Sequence, residues 1–356
     1  MESAIDKHLV CPRTLNRNME EGFTPPYPAW AARADGSVTQ LVMGYFGVQF
    51  NKPELHGKAC MNLDVILKSF AIPNGPGHFD IARFKDMHGY ENMVAIAYWD
   101  NPATFNQWQS NATVKDWWES ENRLSDQVGC FREVLKPQSA QLETIFSSPG
   151  KLEGVGVVMG TLSGEIEEHA YWGAMRDRMP LAQTDKLLPQ GSLTVSEVVV
   201  GSGKRVKIVG HENLVVIRSG EDWIDTAGKE RDIYLNDMQP TLEEGMDFLH
   251  RQGNDIGCYT NRYMQHMDAS GKSIEKTFGV SYWRSMSDLE AWAKSHPTHV
   301  AIFGKFMNYV QALNMDIKLR LYHEVSVLKV DEQEYEYINC HPHTGLLNGS
   351  VGLHPL

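Results

Sequence analysis

The sequence predicts an α+β fold assembled from two copies of one β-α-β-β-α unit in a single chain. A strand-to-helix segment recurs at a constant offset, each occurrence follows a second β-rich run and a helical pattern, and one occurrence carries a clear hairpin turn. Residues 91–108 and 275–292 align without a gap: Trp99 and Trp283 differ by 184, as do Trp108 and Trp292, and Tyr98 precedes the first tryptophan as Tyr282 precedes its counterpart. In both copies a β-rich run ends at Tyr-Trp, a polar turn supplies a helix cap, and a helix follows. The expected caps are Asn101 before Pro102, and Ser287 with Glu290 as a capping box.

Upstream, Leu41–Val48 and Leu214–Ser219 read as strands, and helical patterns follow around Val65–Leu67 and across Thr241–Leu249. Asp268-Ala269-Ser270-Gly271-Lys272 signals a hairpin between strands around Arg262–Met264 and Thr277–Trp283. This order is that of the ferredoxin-like motif. Two such antiparallel sheets, facing each other, bury their inner faces as an intramolecular barrel or sandwich with surrounding helices. The repeats are expected at about 39–150 and 210–330 of a single domain, 1–356. Around them lie a polar N-terminal arm (1–38), a helical middle segment (151–209) and a C-terminal tail (331–356).

A hydrophobic content of 42% over 356 residues supports a large core. The net charge of −12 argues against nucleic-acid or anionic-membrane surfaces, which need a basic footprint, and favours small-molecule chemistry. Apolar runs such as Val155–Met159 are too short to span a bilayer, and Met1-Glu2-Ser3-Ala4 opens no secretory signal, so a cytoplasmic location is expected. The five cysteines (Cys11, Cys60, Cys130, Cys258, Cys340) are scattered, without a Cys-x-x-Cys pair, and read as reduced.

The second copy holds one residue of special interest. At the same offset, His299 falls opposite Lys115, so the histidine belongs to one copy only. Pro297 suits the first turn of a new helix, on which Phe303, Phe306 and Val310 share a face with His299. Periodicity alone favours a satisfied core histidine there, although an imidazole so placed can also ligate iron with one nitrogen while the other donates to a carbonyl or carboxylate. A metal pair of His296 and His299 is disfavoured by Pro297 and by the lack of further ligands. Cys340-His341-Pro342-His343 lacks the Cys-x-x-Cys-His pattern of covalent haem attachment and reads as structural tail.

Several blocks stand in order along the chain: Cys11-Pro12-Arg13-Thr14-Leu15, Gly164 to Gly173, Ile217-Arg218-Ser219-Gly220, Ser295-His296-Pro297-Thr298-His299, Leu321 to Val327, and Asn339 to Gly345. Together they resemble the haem-dependent aldoxime dehydratases. The resemblance implies a homodimeric haem b enzyme that dehydrates an aldoxime, R-CH=N-OH, to a nitrile with ferrous iron, His299 being the proximal ligand. It also implies that His323 is the distal acid–base group with Glu143 as its partner, that Ser219 meets the oxime oxygen, and that Arg178 positions the oxime or stabilises charge. Phe306 becomes a wall of the haem or substrate pocket. The chemistry asks for such a set: hydroxide leaves poorly unless the oxime oxygen is protonated, which calls for an acid–base group, nearby donors and an apolar pocket.

From the residues themselves, strand alternation over Ile317–Val327 puts Leu319, Leu321, His323, Val325 and Val327 on one face, with His323 inward, and Lys318, Arg320, Tyr322, Glu324 and Ser326 on the other. Ser219 is expected at a strand end before Gly220, and Arg178 at a helix end stopped by Pro180. Without the resemblance, His323 reads as core, Ser219 as a turn residue and Arg178 as a surface cation. His169 lies in a family block with no assigned chemical step. The rival readings are a haem peroxidase or chlorite-decomposing enzyme, which shares paired ferredoxin-like units, and a haem sensor without turnover.

Overall fold

The computed structural model describes residues 1–200 and 203–352; the last four residues of the tail segment lie outside them. The first repeat is β1 (Val42–Phe50), α1 (His56–Phe70), β2 (His78–Lys85), β3 (Glu91–Trp99), α2 (Pro102–Ser110), α3 (Ala112–Glu119) and β4 (Gly129–Leu135). Strand β5 (Leu142–Phe146), the short helix α4 (Ala174–Arg178) and strands β6 (Thr194–Val200) and β7 (Gly203–Val209) follow. The second repeat is β8 (Leu214–Asp222), α5 (Gln239–Gln252), β9 (Cys258–Met267), β10 (Ser273–Trp283), α6 (Met286–Ser295), α7 (Pro297–Ala312) and β11 (Arg320–Leu328), and β12 (Gln333–Ile338) closes the order.

These twelve strands form one antiparallel sheet in the order β5-β11-β8-β10-β9-β2-β3-β1-β4-β12-β7-β6. The quartets β11-β8-β10-β9 and β4-β1-β3-β2 repeat one order, that of the ferredoxin-like motif. They meet edge to edge where Gln265, His266 and Met267 pair with Arg83, Ala82 and Ile81. The sheet curls so that one face of each quartet shares a core: Tyr45, Ile96 and Phe131 pack with Val216, Phe278 and Tyr282. Helices cover the outer faces, over Phe46, Trp99, Trp108 and Trp118 in the first repeat and over Val215, Trp283, Leu289 and Trp292 in the second.

Local chemistry explains most element ends. Asn101 caps α2 through its side-chain oxygen, which accepts from the Ala103 amide at 2.8 Å. The cap of α6 is Ser285 rather than Ser287: its Oγ accepts from the Asp288 amide at 3.1 Å, and Asp288 takes the place expected of Glu290. The middle segment is less helical than expected. Its valine-rich run folds instead as the hairpin β6–β7, in keeping with the β-propensity of branched side chains, and the tail contributes β12, which pairs with both β4 and β7.

The barrel interior is not purely apolar. Arg262 pairs with Glu133, whose other oxygen accepts from Tyr337, and Arg218 pairs with Asp80 at 2.7 Å while lying 4.1 Å from the Phe278 ring centre. All five cysteines are free, and among the described residues no helix is long and apolar enough to cross a membrane.

Candidate active site

Strands β8 and β11 place Ser219 directly opposite His323, and β10 places Gly279 opposite Ser219. Opposed residues of an antiparallel ladder project to the same face, so hydroxyl and imidazole stand side by side beside a position without a side chain. On β5, Ile145 continues that row and Glu143 lies opposite Val325 on the next row of the same face.

This placement corrects three expectations. Ser219 does not end a strand: β8 runs on through Gly220 to Asp222, and Gly220 is required because a Cβ there would lie 2.4 Å from the Tyr322 ring. Both faces of β11 are buried, since Tyr322, Glu324 and Ser326 point into the barrel, while His323 faces the helix-covered outer side and keeps a quarter of its side chain exposed. Arg178 is no surface cation but is 4% exposed.

The polar group is tightly connected. Arg178 Nε donates to Glu143 Oε2 at 2.6 Å, its Nη2 reaches Oε1 at 3.3 Å, and its Nη1 donates to the Glu168 carbonyl at 2.8 Å. His323 Nε2 lies 3.0 Å from Arg178 Nη2 and 3.2 Å from Glu143 Oε1. A neutral His323 therefore accepts from the guanidinium, and a protonated one donates to the carboxylate. Both proton states of one nitrogen have a partner in place. Burial alone would raise the Glu143 carboxyl, but Arg178 and then His323 outweigh it and hold the group below the ordinary carboxylate value.

His299 sits in the first turn of α7, its ring packed on Trp292 at 4.7 Å and on Trp172 at 6.4 Å between centres. Burial, with a contribution from nearby His323, pushes its pKa down to about 4, so the imidazole is neutral at pH 7. Its Nδ1 is buried without a full hydrogen bond, although the Ala293 carbonyl lies close enough to favour a proton on the ring. Such an arrangement leaves the Nε2 lone pair available to a metal. Phe306 and Val310 join a cluster with Tyr234 and Tyr309, but Phe303 is not core: it is 42% exposed against Trp172, itself 45% exposed. A neutral imidazole base, exposed aromatic side chains beside it and His323 near enough to act on its charge fit a haem.

The other histidine candidates resolve simply. His296 caps α7 and stacks on Phe248, and His341 and His343 stack on His88; among the described residues no group of three or more His, Cys, Asp or Glu side chains is arranged to hold a metal ion. His169 is buried with both ring nitrogens unpartnered, its pKa lowered to about 4 by burial and then by Arg178.

Three further residues near the site carry no signal in the sequence. Trp172 and Glu168 lie within Gly164 to Gly173, without any local pattern to single them out. Glu221, two residues beyond Ser219 on the same face, accepts from Thr277 at 2.9 Å, and burial pushes its carboxyl up to about 8.

Strand register explains why the site occupies the second repeat. Val42 pairs with Trp99 as Val215 pairs with Trp283, so Phe46 is the counterpart of Ser219, Ala95 of Gly279 and Arg132 of His323. In the first repeat the Phe46 ring fills this face against Phe70, Trp108 and Trp118. Serine and glycine put no ring on the same face of the second, where the Met246 sulfur lies 3.0 Å from the place a Cβ on Gly279 would take.

A sequence model of a family described as haem-containing dehydratase matches residues 44–346. Over 351 residues, 99% of both chains, the sequence is 46% identical to an aliphatic aldoxime dehydratase of Pseudomonas chlororaphis, and over 334 residues, 93% of this chain and 94% of the other, it is 32% identical to a phenylacetaldoxime dehydratase of a Bacillus species. The fold matches the crystal structure of an aldoxime dehydratase in complex with butyraldoxime with a TM-score of 0.93 at 45% identity, covering 98% of this chain and 96% of that one.

Proposed function

Because this chain belongs to the haem-containing dehydratase family, we infer that it dehydrates aldoximes to nitriles and water with haem b as its cofactor. The observation that carries the reading to named residues is the pairing of Ser219 with His323, the latter near enough to the neutral, buried His299 to act on its charge. In this proposal His299 is the proximal ligand, and Trp172, Trp292, Phe303 and Phe306 supply the apolar walls. Held by His299, the haem would supply a ferrous iron able to lend electron density to the oxime and so weaken its N–O bond.

The remaining work falls to this chain's side chains. His323 delivers a proton to the departing oxygen and later takes up the carbon-bound one. Glu143 steadies its protonated form and Arg178 its neutral form, which lets one nitrogen serve both steps. Ser219, beside it, holds the oxime oxygen by a hydrogen bond aimed where negative charge develops as the N–O bond breaks. Chain 1–356 is read as one haem-binding domain. Homodimer assembly, supported by the family resemblance, and a cytoplasmic setting, supported by apolar runs too short to span a bilayer, complete the proposal. The greater likeness to an aliphatic than to an arylaliphatic relative favours aliphatic aldoximes as substrates.

The test is anaerobic turnover: the haem-loaded protein, reduced with dithionite, is given butyraldoxime or phenylacetaldoxime and assayed for nitrile by chromatography. Nitrile forms, faster from butyraldoxime, if the reading holds. Haem binding without nitrile would leave the sensor reading, and peroxide-dependent oxidation without nitrile the peroxidase reading.

A further inference from the structure

Arg178 is held by Glu143, its ion-pair partner, and by the backbone carbonyl of Glu168, whose own carboxyl is fully buried; Asp177, which precedes Arg178 in the chain, is 1% exposed. Buried carboxylates such as those of Glu168 and Asp177 need hydrogen-bond donors to stay in place. Here the N-terminal arm supplies them. The Ala4 amide donates to Glu168 Oε2 at 2.7 Å and Ser3 Oγ to Oε1 at 2.9 Å, with Arg17 at 3.6 Å. The amides of Asn18 and Met19 donate to Asp177 Oδ2 at 2.8 and 3.0 Å, joined by the Asn18 side chain and by Tyr171. Among the described residues Glu143 has no polar side-chain partner except Arg178 and His323.

We propose that the arm is part of the active-site apparatus, with Glu168 and Asp177 the positioning residues through which residues 3–19 hold Arg178 against Glu143 and His323. The inference rests on the function proposed above and extends it to a segment that precedes the matched family region, 44–346. The arm is pinned on both sides of Arg178. Glu2 pairs with Glu165 and Glu167 through backbone hydrogen bonds, and the amides of Thr14 and Leu15 donate to the Gln183 carbonyl at 3.0 and 3.2 Å. Withdrawing these donors, or the carboxylate charge that holds them, loosens the segment 168–178 that carries both the carbonyl contact to Arg178 and Arg178 itself, and the guanidinium loses its aim at Glu143 and His323.

The test compares Glu168→Gln, Asp177→Asn and a chain lacking residues 1–4, which removes the Ser3 and Ala4 donors while leaving every site side chain in place. Each is assayed for haem content, kcat, KM and melting temperature. The expected result is full haem absorption, since His299 is held on α7, with kcat per haem lowered about 10- to 100-fold, as for a misplacement of about 1 Å, and KM changed much less. Glu168→Asp, which keeps the charge, recovers part of the loss. A lower melting temperature with unchanged kcat per haem in all three would overturn the inference, because it makes the arm a purely structural brace. Arg178→Gln serves as the reference. If it turns over normally, the failure lies with the site reading; if it is impaired while the arm variants are not, the failure lies here.

Discussion

Replacing Glu143 by Gln leaves the Arg178 guanidinium, 4% exposed, without its carboxylate. Breaking a buried pair by removing one partner costs about 3–5 kcal/mol, because the remaining charge stays buried. For a chain of 356 residues the unfolding entropy is about 0.75 kcal/mol/K, so the melting midpoint falls by about 4–7 °C. Replacing both partners, as Glu143→Met with Arg178→Met, removes both charges and regains most of that loss, since apolar residues of similar volume commonly match a buried pair. Turnover does not return, so stability and activity separate in the double variant. Acid behaviour adds a second signature. The Glu143 carboxyl is held below its ordinary value of 4.5, so its contribution is present above about pH 4.5 and is lost as the pH falls through the folded value. Glu143→Gln flattens that limb. Denaturant titration of the parent, single and double variants at pH 7 and at pH 4 measures all of this. A single variant within about 0.5 kcal/mol of the parent, or a double variant no more stable than the single, refutes the electrostatic account.

Four further outcomes are expected. His299→Ala loses the haem absorption band, and retention of full haem would show that another residue holds the iron. His323→Ala keeps haem and loses turnover by ~10²–10⁴-fold, measured as nitrile formed per haem; normal dehydration would move the proton work elsewhere. Glu221, raised from 4.5 to about 8, stabilises the fold fully below pH 4.5 and loses that contribution, at most about 5 kcal/mol, as the pH rises to about 8. Glu221→Gln removes this decline from a stability–pH series, and an unchanged slope counts against it. Ser219→Phe puts the first repeat's ring back at its counterpart position, so haem uptake is blocked while far-ultraviolet circular dichroism is kept; normal uptake would contradict the equivalence with Phe46.

The duplication was legible because Tyr-Trp pairs and helix caps are fixed by local chemistry, and the 184-residue offset survives in the register of β3 and β10. What local sequence hid is what depends on position within the sheet. Ser219-Gly220 reads as a turn, yet the glycine lies in mid-strand because the Tyr322 ring occupies the space of a side chain. Arg178 sits near a proline in a short helix, and only the folded chain shows β5 covering it with Glu143. Alternation along β11 separates two sets of residues correctly, but it cannot say that both sets are buried when the sheet has a core on each side.

The two quartets are alike in strand order and unlike in what extends their outer edges. Beyond β4 the sheet continues with β12, β7 and β6; beyond β11 it continues with β5 alone. The second extension matters chemically, because β11 carries His323 and an added strand is the shortest way to bring a carboxylate beside it. Glu143 arrives on that strand, Arg178 on the segment that packs behind it, and the N-terminal arm closes over both. Ser219, His323 and His299 thus stand on positions that have counterparts in the first repeat, at Phe46, Arg132 and Lys115, whereas the groups that tune the proton site come from parts without any. In the proposed reading, the duplicated platform accounts for where the ring is held, and departures from the duplication account for what is done to the substrate there.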